Sequence, residues 1–258
     1  MKESSLSPAA ITDNLGTRFI GQRVIYYPRL KSTMDVAKRR AQQGVVEGTV
    51  VIAEEQTAGR GRIKRAWLSP KGSIALSIIL YPEVGYLSSL IMVASLAVVH
   101  AVEKVTGLKA QIKWPNDVLI NDKKVCGILI ESEVKGKRVD YAIIGIGINV
   151  NLRLSDFPEI SSMATSLSHD LGKNVSQLDM LRCLLAEIER LYLALPSDSI
   201  YHEWRNNLST LSKKVQVSSD KTTYEGIAES VTSDGSLMLR QSDGRLIKIV
   251  AGDVTLRD

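Results

Sequence analysis

Cysteine is scarce in this chain of 258 residues: only Cys126 and Cys183 occur, with no CxxC pair. A disulfide framework and a thiolate zinc site are thereby excluded, and both thiols read as packed small hydrophobes rather than nucleophiles. Histidine is nearly as rare, and His100, His169 and His202 show neither metal-ligand spacing nor a partner for base catalysis. No apolar run is read as reaching the roughly 18 to 20 residues that span a bilayer, and the start, Met1 to Ala10, is polar and mixed in charge. The expectation is a protein of the cytoplasm with no membrane partner. Internal repeats and low-complexity linkers are lacking too. The excess of 33 Lys and Arg over 28 Asp and Glu, a net +5, forms no stripe of the kind that tracks nucleic acid.

What is present suits a globular protein: 44% hydrophobic and 24% charged residues, enough for one large domain and one small one. Ser32 or Thr33 caps a short helix through Met34, Val36, Ala37 and Ala41 that stops at Gly44. Val50 to Glu54 and Ser73 to Leu80 read as strands, and Ser88 to Thr106 as a buried helix closed by Gly107. Val118 to Ile120 and Val125 to Glu131 flank a polar turn, and Tyr141 to Ile148 is a further strand. Ser176 with Asp179 starts an amphipathic helix whose apolar face runs from Leu181 to Leu195. Beyond Trp204 come short strands (Lys214 to Ser218, Thr223 to Val231, Ser236 to Leu239, Leu246 to Val250, Val254 to Leu256), with turns at Asp234-Gly235 and Asp243-Gly244. That tail is expected to form a separate small all-β barrel.

Chemistry concentrates in three segments. Gln56 to Arg62 reads QTAGRGR: glycines that allow positive φ and close approach, with two guanidinium forks for carboxylate or phosphate. No Gly-Lys-Ser/Thr follows, so this is not a P-loop, and taken alone GRGR reads equally as a solvated turn or an RNA-binding fragment. Lys113-Trp114-Pro115-Asn116-Asp117 presents Asn116 and Asp117 at a strand end, where a nucleotide or Mg²⁺ could meet them; the simpler alternative is a tight turn. Gly145 to Asn151, GIGINVN, puts glycines inside a strand, a sign of close approach by a ligand or another backbone.

Taken together, these segments with Trp67 and Lys124 to Leu129 (KVCGIL) resemble the biotin–protein ligase family in order and spacing, from about Tyr26 to a closing segment Gly252 to Arg257. The resemblance implies an α+β fold: a catalytic domain like that of class II aminoacyl-tRNA synthetases, with a mixed sheet and helices on one side, then a small SH3-like β-barrel. Its boundaries are an N-terminal extension (1–25), a catalytic domain (26–210) and the barrel (211–258). The resemblance puts Ser32, Thr33, Met34, Gln56, Gly59, Arg60, Gly61, Arg62, Lys124, Gly127, Leu129, Gly145 and Gly147 on biotin. It puts Arg60, Arg62, Trp67, Lys113, Asn116, Asp117, Asn149 and Arg257 on ATP, with Arg62 and Lys124 as catalytic cations and Asp117 as a direct or water-mediated Mg²⁺ ligand. Where family members commonly carry another glycine in the loop, this chain has Lys64. Members with a DNA-binding domain begin with a longer N-terminal region; about 25 residues precede the catalytic part here, against roughly 50 for an independent domain, so no sequence-specific DNA complex is expected.

The implied activity is ATP-dependent formation of biotinyl-5'-AMP and transfer of biotin to one lysine of a biotin carboxyl carrier domain, by a monomer or homodimer. Two anions must meet, so cations at the reacting carboxylate and α-phosphate are the electrostatic requirement, with the glycine loop and Trp67 as a water-excluding lid. The alternatives are a lipoate–protein ligase of the same fold and a non-catalytic regulator that binds biotinyl-AMP.

Overall fold

The computed structural model describes residues 6–219 and 222–256, apart from the side chains of Lys64 and Leu256. In chain order the elements are α1 (Pro8–Thr12), β1 (Val24–Leu30), α2 (Thr33–Gln42), β2 (Val50–Arg60), β3 (Ala66–Ser69), β4 (Ile74–Leu80), α3 (Leu90–Thr106) and β5 (Gln111–Lys113). There follow β6 (Asp117–Ile120), β7 (Lys123–Lys135), β8 (Arg138–Ile148), α4 (Leu167–Leu171), α5 (Gln177–Leu193) and α6 (Asp198–Asn206). The first eight strands form one sheet in the order β1-β2-β4-β8-β7-β6-β5, with β3 attached to β2. The β1/β2 ladder is parallel and the others antiparallel, so the sheet is mixed, as the resemblance implied.

Strand β4 is buried at every position, which requires both faces of the sheet to be covered. Residues of one parity, Val50, Ile52, Leu76, Ile78, Ile144 and Ile146, join the main core under α3 and α5. Their neighbours Val51, Ile79 and Ile143 point the other way and pack with Met34, Val36 and Ala37 of α2. The helices are therefore not confined to one side, as the family resemblance had implied: α2 covers the opposite face, which is where the site lies.

Helix α3 is apolar around most of its circumference because sheet and α5 enclose it, and Gly107 ends it in the left-handed conformation (φ 75°). With the 3₁₀ turns ahead of it, Val84–Thr106 makes 23 residues long and apolar enough to span a membrane, contrary to the expectation from sequence; in this structure it is a core helix. The start of α5 has Asp179 N–H donating to Ser176 Oγ, the cap read from the sequence. His100 bridges the helices through Glu187 on α5 (3.1 Å) and Glu203 on α6 (2.6 Å), far from the site. The N-terminal region is built in as well: Leu6, Ile11, Leu15 and Ile20 are core residues, and the Glu189 carboxylate accepts from the backbone N–H groups of Arg18, Phe19 and Ile20.

The tail folds as β9 (Lys214–Ser219), β10 (Thr222–Val231), β11 (Leu237–Arg240), β12 (Leu246–Ile249) and β13 (Asp253–Leu256), an antiparallel sheet in the order β12-β11-β10-β9-β13. Gly235 and Gly244 take the positive φ that their hairpin turns need. The expectation of a separate unit fails in one respect: Val215, Val217, Leu237 and Leu239 share one continuous core with Trp114 and α3. Trp114, 1% exposed, is the joint, since its Nε1–H donates to Gly235 C=O at 2.9 Å and its N–H to Thr210 Oγ1 at 3.0 Å. Trp114→Phe removes the indole donor and strands a half-buried carbonyl, and is expected to lower the unfolding free energy by about 1–3 kcal/mol. Urea denaturation of wild type and variant checks this; an unchanged midpoint, or two separate transitions in the wild type, refutes the shared core.

Candidate active site

The floor of the site is bare backbone. Gly127 of β7 and Gly147 of β8 are register partners, and Gly145 pairs with Leu129 one step along. A Cβ on Gly147 would overlap the Trp67 indole, one on Gly145 would lie 2.5 Å from Met34 Sδ, and one on Gly127 would lie 3.0 Å from the Trp67 ring and 3.1 Å from Lys124 Cε. The three glycines thus hold open a depression on the α2 face of the sheet, a cavity of about 120 Å³.

One wall is the start of α2. Thr33 donates through both its N–H (2.8 Å) and its hydroxyl (3.1 Å) to Gln56 Oε1, and receives a bond from Ser77 Oγ (2.8 Å). Ser32 Oγ is buried beside it, a polar atom left unmatched by the protein. The other wall is a hairpin: β2 runs on to Arg60, beyond the Glu54 end read from the sequence, and β3 returns antiparallel with Gly59 opposite Trp67. Positive φ at the glycines was the expectation, but it is Ile63 at the tip that adopts it (φ 51°, ψ 43°), a left-handed conformation costing a β-branched residue roughly 1–2 kcal/mol. Gly59 is needed instead for contact with the Trp67 carbonyl. Trp67, expected in an irregular loop, lies in β3 with its Nε1 buried and unbonded over the glycine floor.

Charges converge here in pairs. Lys124 Nζ stands 2.7 Å from Asp117 Oδ1 and 5.3 Å from the Trp67 ring centre, a cation–π distance. Arg62 Nη1 donates to Asn116 Oδ1 at 3.1 Å, while the Asn116 amide donates to Ile128 C=O at 2.8 Å, so the turn after Pro115 is locked onto β7. Burial pulls the Arg62 pKa below its ordinary value, opposed by the carboxylates of Asp253 and Asp117. Arg60 lies at the rim, 3.0 Å from both Asp35 and Glu131, and Arg65 is 2.7 Å from Asp253 of β13.

Ser32, Thr33, Met34, Gln56, Arg60, Gly61, Arg62, Trp67, Asn116, Asp117, Lys124, Gly127, Leu129, Gly145 and Gly147 all line the cavity, together with Arg65, Ala66 and Asp253, which were not read from the sequence. Three expected residues stand off it. Lys113 is in β5, Gly59 backs the hairpin, and Asn149 is 3% exposed with its amide donating to Thr165 C=O at 3.0 Å. Arg257 lies outside the described residues, as does the side chain of Lys64. Asp253 carried no signal in sequence, because it arrives from the tail sheet some 190 positions after Arg65. Among the described residues no three metal-ligating side chains cluster, and Asp117 is already held by Lys124, so a resident metal does not fit. Burial pushes the Cys126 thiol far up, in keeping with a packed, inert cysteine.

The model of the Biotin/lipoate A/B protein ligase family matches residues 26–149, and that of the Biotin protein ligase C terminal domain matches residues 210–257. Glycine floor, basic hairpin and tail sheet are thus those of a ligase that attaches a cofactor acid to protein. The bifunctional ligase/repressor BirA of Bacillus subtilis is 36% identical over 262 residues, 99% of this chain and 80% of its own length. A biotin–[acetyl-CoA-carboxylase] ligase of Paracoccus denitrificans is 34% identical over 76% of this chain and 86% of its own length. The biotin protein ligase from Aquifex aeolicus, solved with biotin and ATP, superposes with a TM-score of 0.77 at 31% identity, covering 92% of this chain and 99% of that one. The chain belongs to the biotin protein ligase family.

Gly147→Ala tests the floor directly. The added methyl is expected to expel the Trp67 indole, shifting tryptophan emission to the red while Trp114 and Trp204 stay buried and the melting temperature changes little. An unshifted emission spectrum refutes the placement of Trp67.

Proposed function

We propose that this protein joins biotin to AMP at the expense of ATP and then transfers the biotinyl group to a specific lysine of a biotin carboxyl carrier domain. The observation that carries the reading is the convergence of Arg62 and Lys124 above a glycine floor beside a polar helix start. Relatives named for this reaction and a neighbour holding biotin and ATP support it.

In the first step a biotin carboxylate oxygen attacks the α-phosphorus of ATP, the bond to pyrophosphate breaks, and a mixed anhydride forms. Both reactants are anions, so the barrier is largely electrostatic, and fixed cations in a dry site lower it without reorganisation. Lys124 and Arg62 supply those cations; when the substrates enter, the carboxylate and phosphate oxygens replace Asp117 and Asn116 as partners of the two cations. Met34 and Leu129 offer apolar contact to the acid's ring and chain, and the buried Ser32 hydroxyl offers a hydrogen bond to a polar ring edge. Mg²⁺ enters with the ATP phosphates as part of that substrate. In the second step the neutral amine of the acceptor lysine attacks the acyl carbon, the amide forms and AMP leaves. Biotin rather than lipoate is the acid, a choice that pyrophosphate exchange with each acid tests.

The carrier domain is the proposed protein partner, and the compartment the cytoplasm, where two free thiols are at home. Sequence-specific DNA binding is not proposed, since Arg60 and Arg65 at the site are matched by Asp35, Glu131 and Asp253; a gel shift across a salt series tests this. The deciding experiment is to incubate the protein with biotin, ATP, Mg²⁺ and a carrier domain and weigh the carrier. A gain of one biotinyl group is expected, and an unmodified carrier rejects the function. Lys124→Ala is expected to abolish biotinyl-AMP formation with the fold intact by circular dichroism; adenylate near the wild-type yield refutes its role.

Arg62→Gly is expected to release the intermediate early. One charge-assisted hydrogen bond is worth about 1.5–3 kcal/mol, or roughly one to two decades in affinity. Escaped biotinyl-AMP then acylates bystander lysines, visible as streptavidin-reactive bands in a mixture of carrier and unrelated proteins. Labelling confined to the carrier, with adenylate retained as long as in wild type, rules out this role for Arg62.

A further inference from the structure

We propose that Asp170 is a positioning residue for Lys124, acting from outside the cavity; the proposal rests on the function given above. Where β8 ends at Ile148, the start of β7 loses its neighbour on that side, and the segment 163–165 takes over. Lys124 N–H donates to Met163 C=O and Thr165 N–H donates to Lys124 C=O, both at 2.9 Å, forming an isolated parallel bridge. The backbone that carries the Lys124 ammonium is therefore held between this segment on one edge and Leu119 of β6 on the other.

Asp170 holds it. Thr165, a residue 1% exposed, donates through its hydroxyl to Asp170 Oδ2, while Asp170 Oδ1 accepts from Asn121 Nδ2 at 3.0 Å. Asn121 and Asp122 form the turn between β6 and β7, both in the left-handed region (φ 50° and 61°). One carboxylate thus grips the turn three residues before Lys124 and the segment that flanks Lys124, although it does not line the cavity. Loosening both lets the strand start drift, and the ammonium with it. Rate is steep in such displacements because charge stabilisation depends on placement in the transition state.

Asp170→Ala is expected to lower kcat for biotin-dependent pyrophosphate exchange about ten-fold, with KM for biotin and ATP held within about two-fold and little change in melting temperature. Asp170→Asn should restore kcat, since the amide oxygen still accepts from Asn121 and the amide nitrogen can donate to the Thr165 hydroxyl. A second readout is independent of turnover: trace acetylation followed by peptide mass spectrometry, with Lys113 as internal reference. Lys124 labelling should rise several-fold in Asp170→Ala and return to the wild-type value in Asp170→Asn. Unchanged Lys124 labelling in Asp170→Ala overturns the proposal, and so does a loss of kcat that Asp170→Asn fails to rescue. A wild-type protein that exchanges no pyrophosphate with biotin overturns the functional reading instead, while the labelling comparison still decides the positioning.

Discussion

The site depends on a stretch of sheet that has no side chains. Gly127, Gly145 and Gly147 lie on neighbouring strands and on one face, so the surface there is peptide backbone, and everything around it is arranged to use or cover that gap. Met34 and Trp67 fill the two ends, which brings α2 and the basic hairpin down onto the sheet. A single methyl at Gly147 would push the hairpin off. The hairpin's geometry is thus a consequence of the floor, and so is the reach of Arg62 to Asn116.

Electrostatics then sets what the depression can accept. Lys124 is matched by Asp117, Arg60 by Asp35 and Glu131, and Arg65 by Asp253, so the site's own charges are close to balanced although it is rich in cations. Arg62 makes its closest polar contact with a neutral amide, and it is the cation whose burial lowers its pKa. An incoming anion relieves that desolvation directly, whereas at the paired cations it must compete with a carboxylate. Asp253 ties this balance to the tail sheet, and Trp114 joins the tail sheet to the main core.

Much of this was legible in the sequence. Strand and helix positions followed from periodicity and caps, as with Ser176 and Asp179 or the apolar run closed by Gly107. Most expected site residues do share one cavity. The departures have physical causes. The hairpin β2/β3 could not be read because its register rests on the Gly59–Trp67 approach, a contact between chain segments. Asn149 looked like a ligand-reading amide, yet a strand-end amide serves equally to tie down a neighbouring segment, and Thr165 is its partner. The apolar helix read as Ser88 to Thr106 begins at Leu90, and 3₁₀ turns from Val84, which carry no α-helical period, lengthen the apolar stretch ahead of it.

What the sequence determined by itself was local: which residues form elements, which bear the charges, and where bare backbone would stand, because dihedral preference and hydrophobic period act over a few residues. The tertiary structure alone decided which carboxylate faces each cation, that α2 lies on the face opposite α3, and that Asp253 and Asp170 come within reach of the hairpin and the Lys124 strand. Those are through-space relations, fixed by how buried surfaces pack, and no spacing along the chain encodes them.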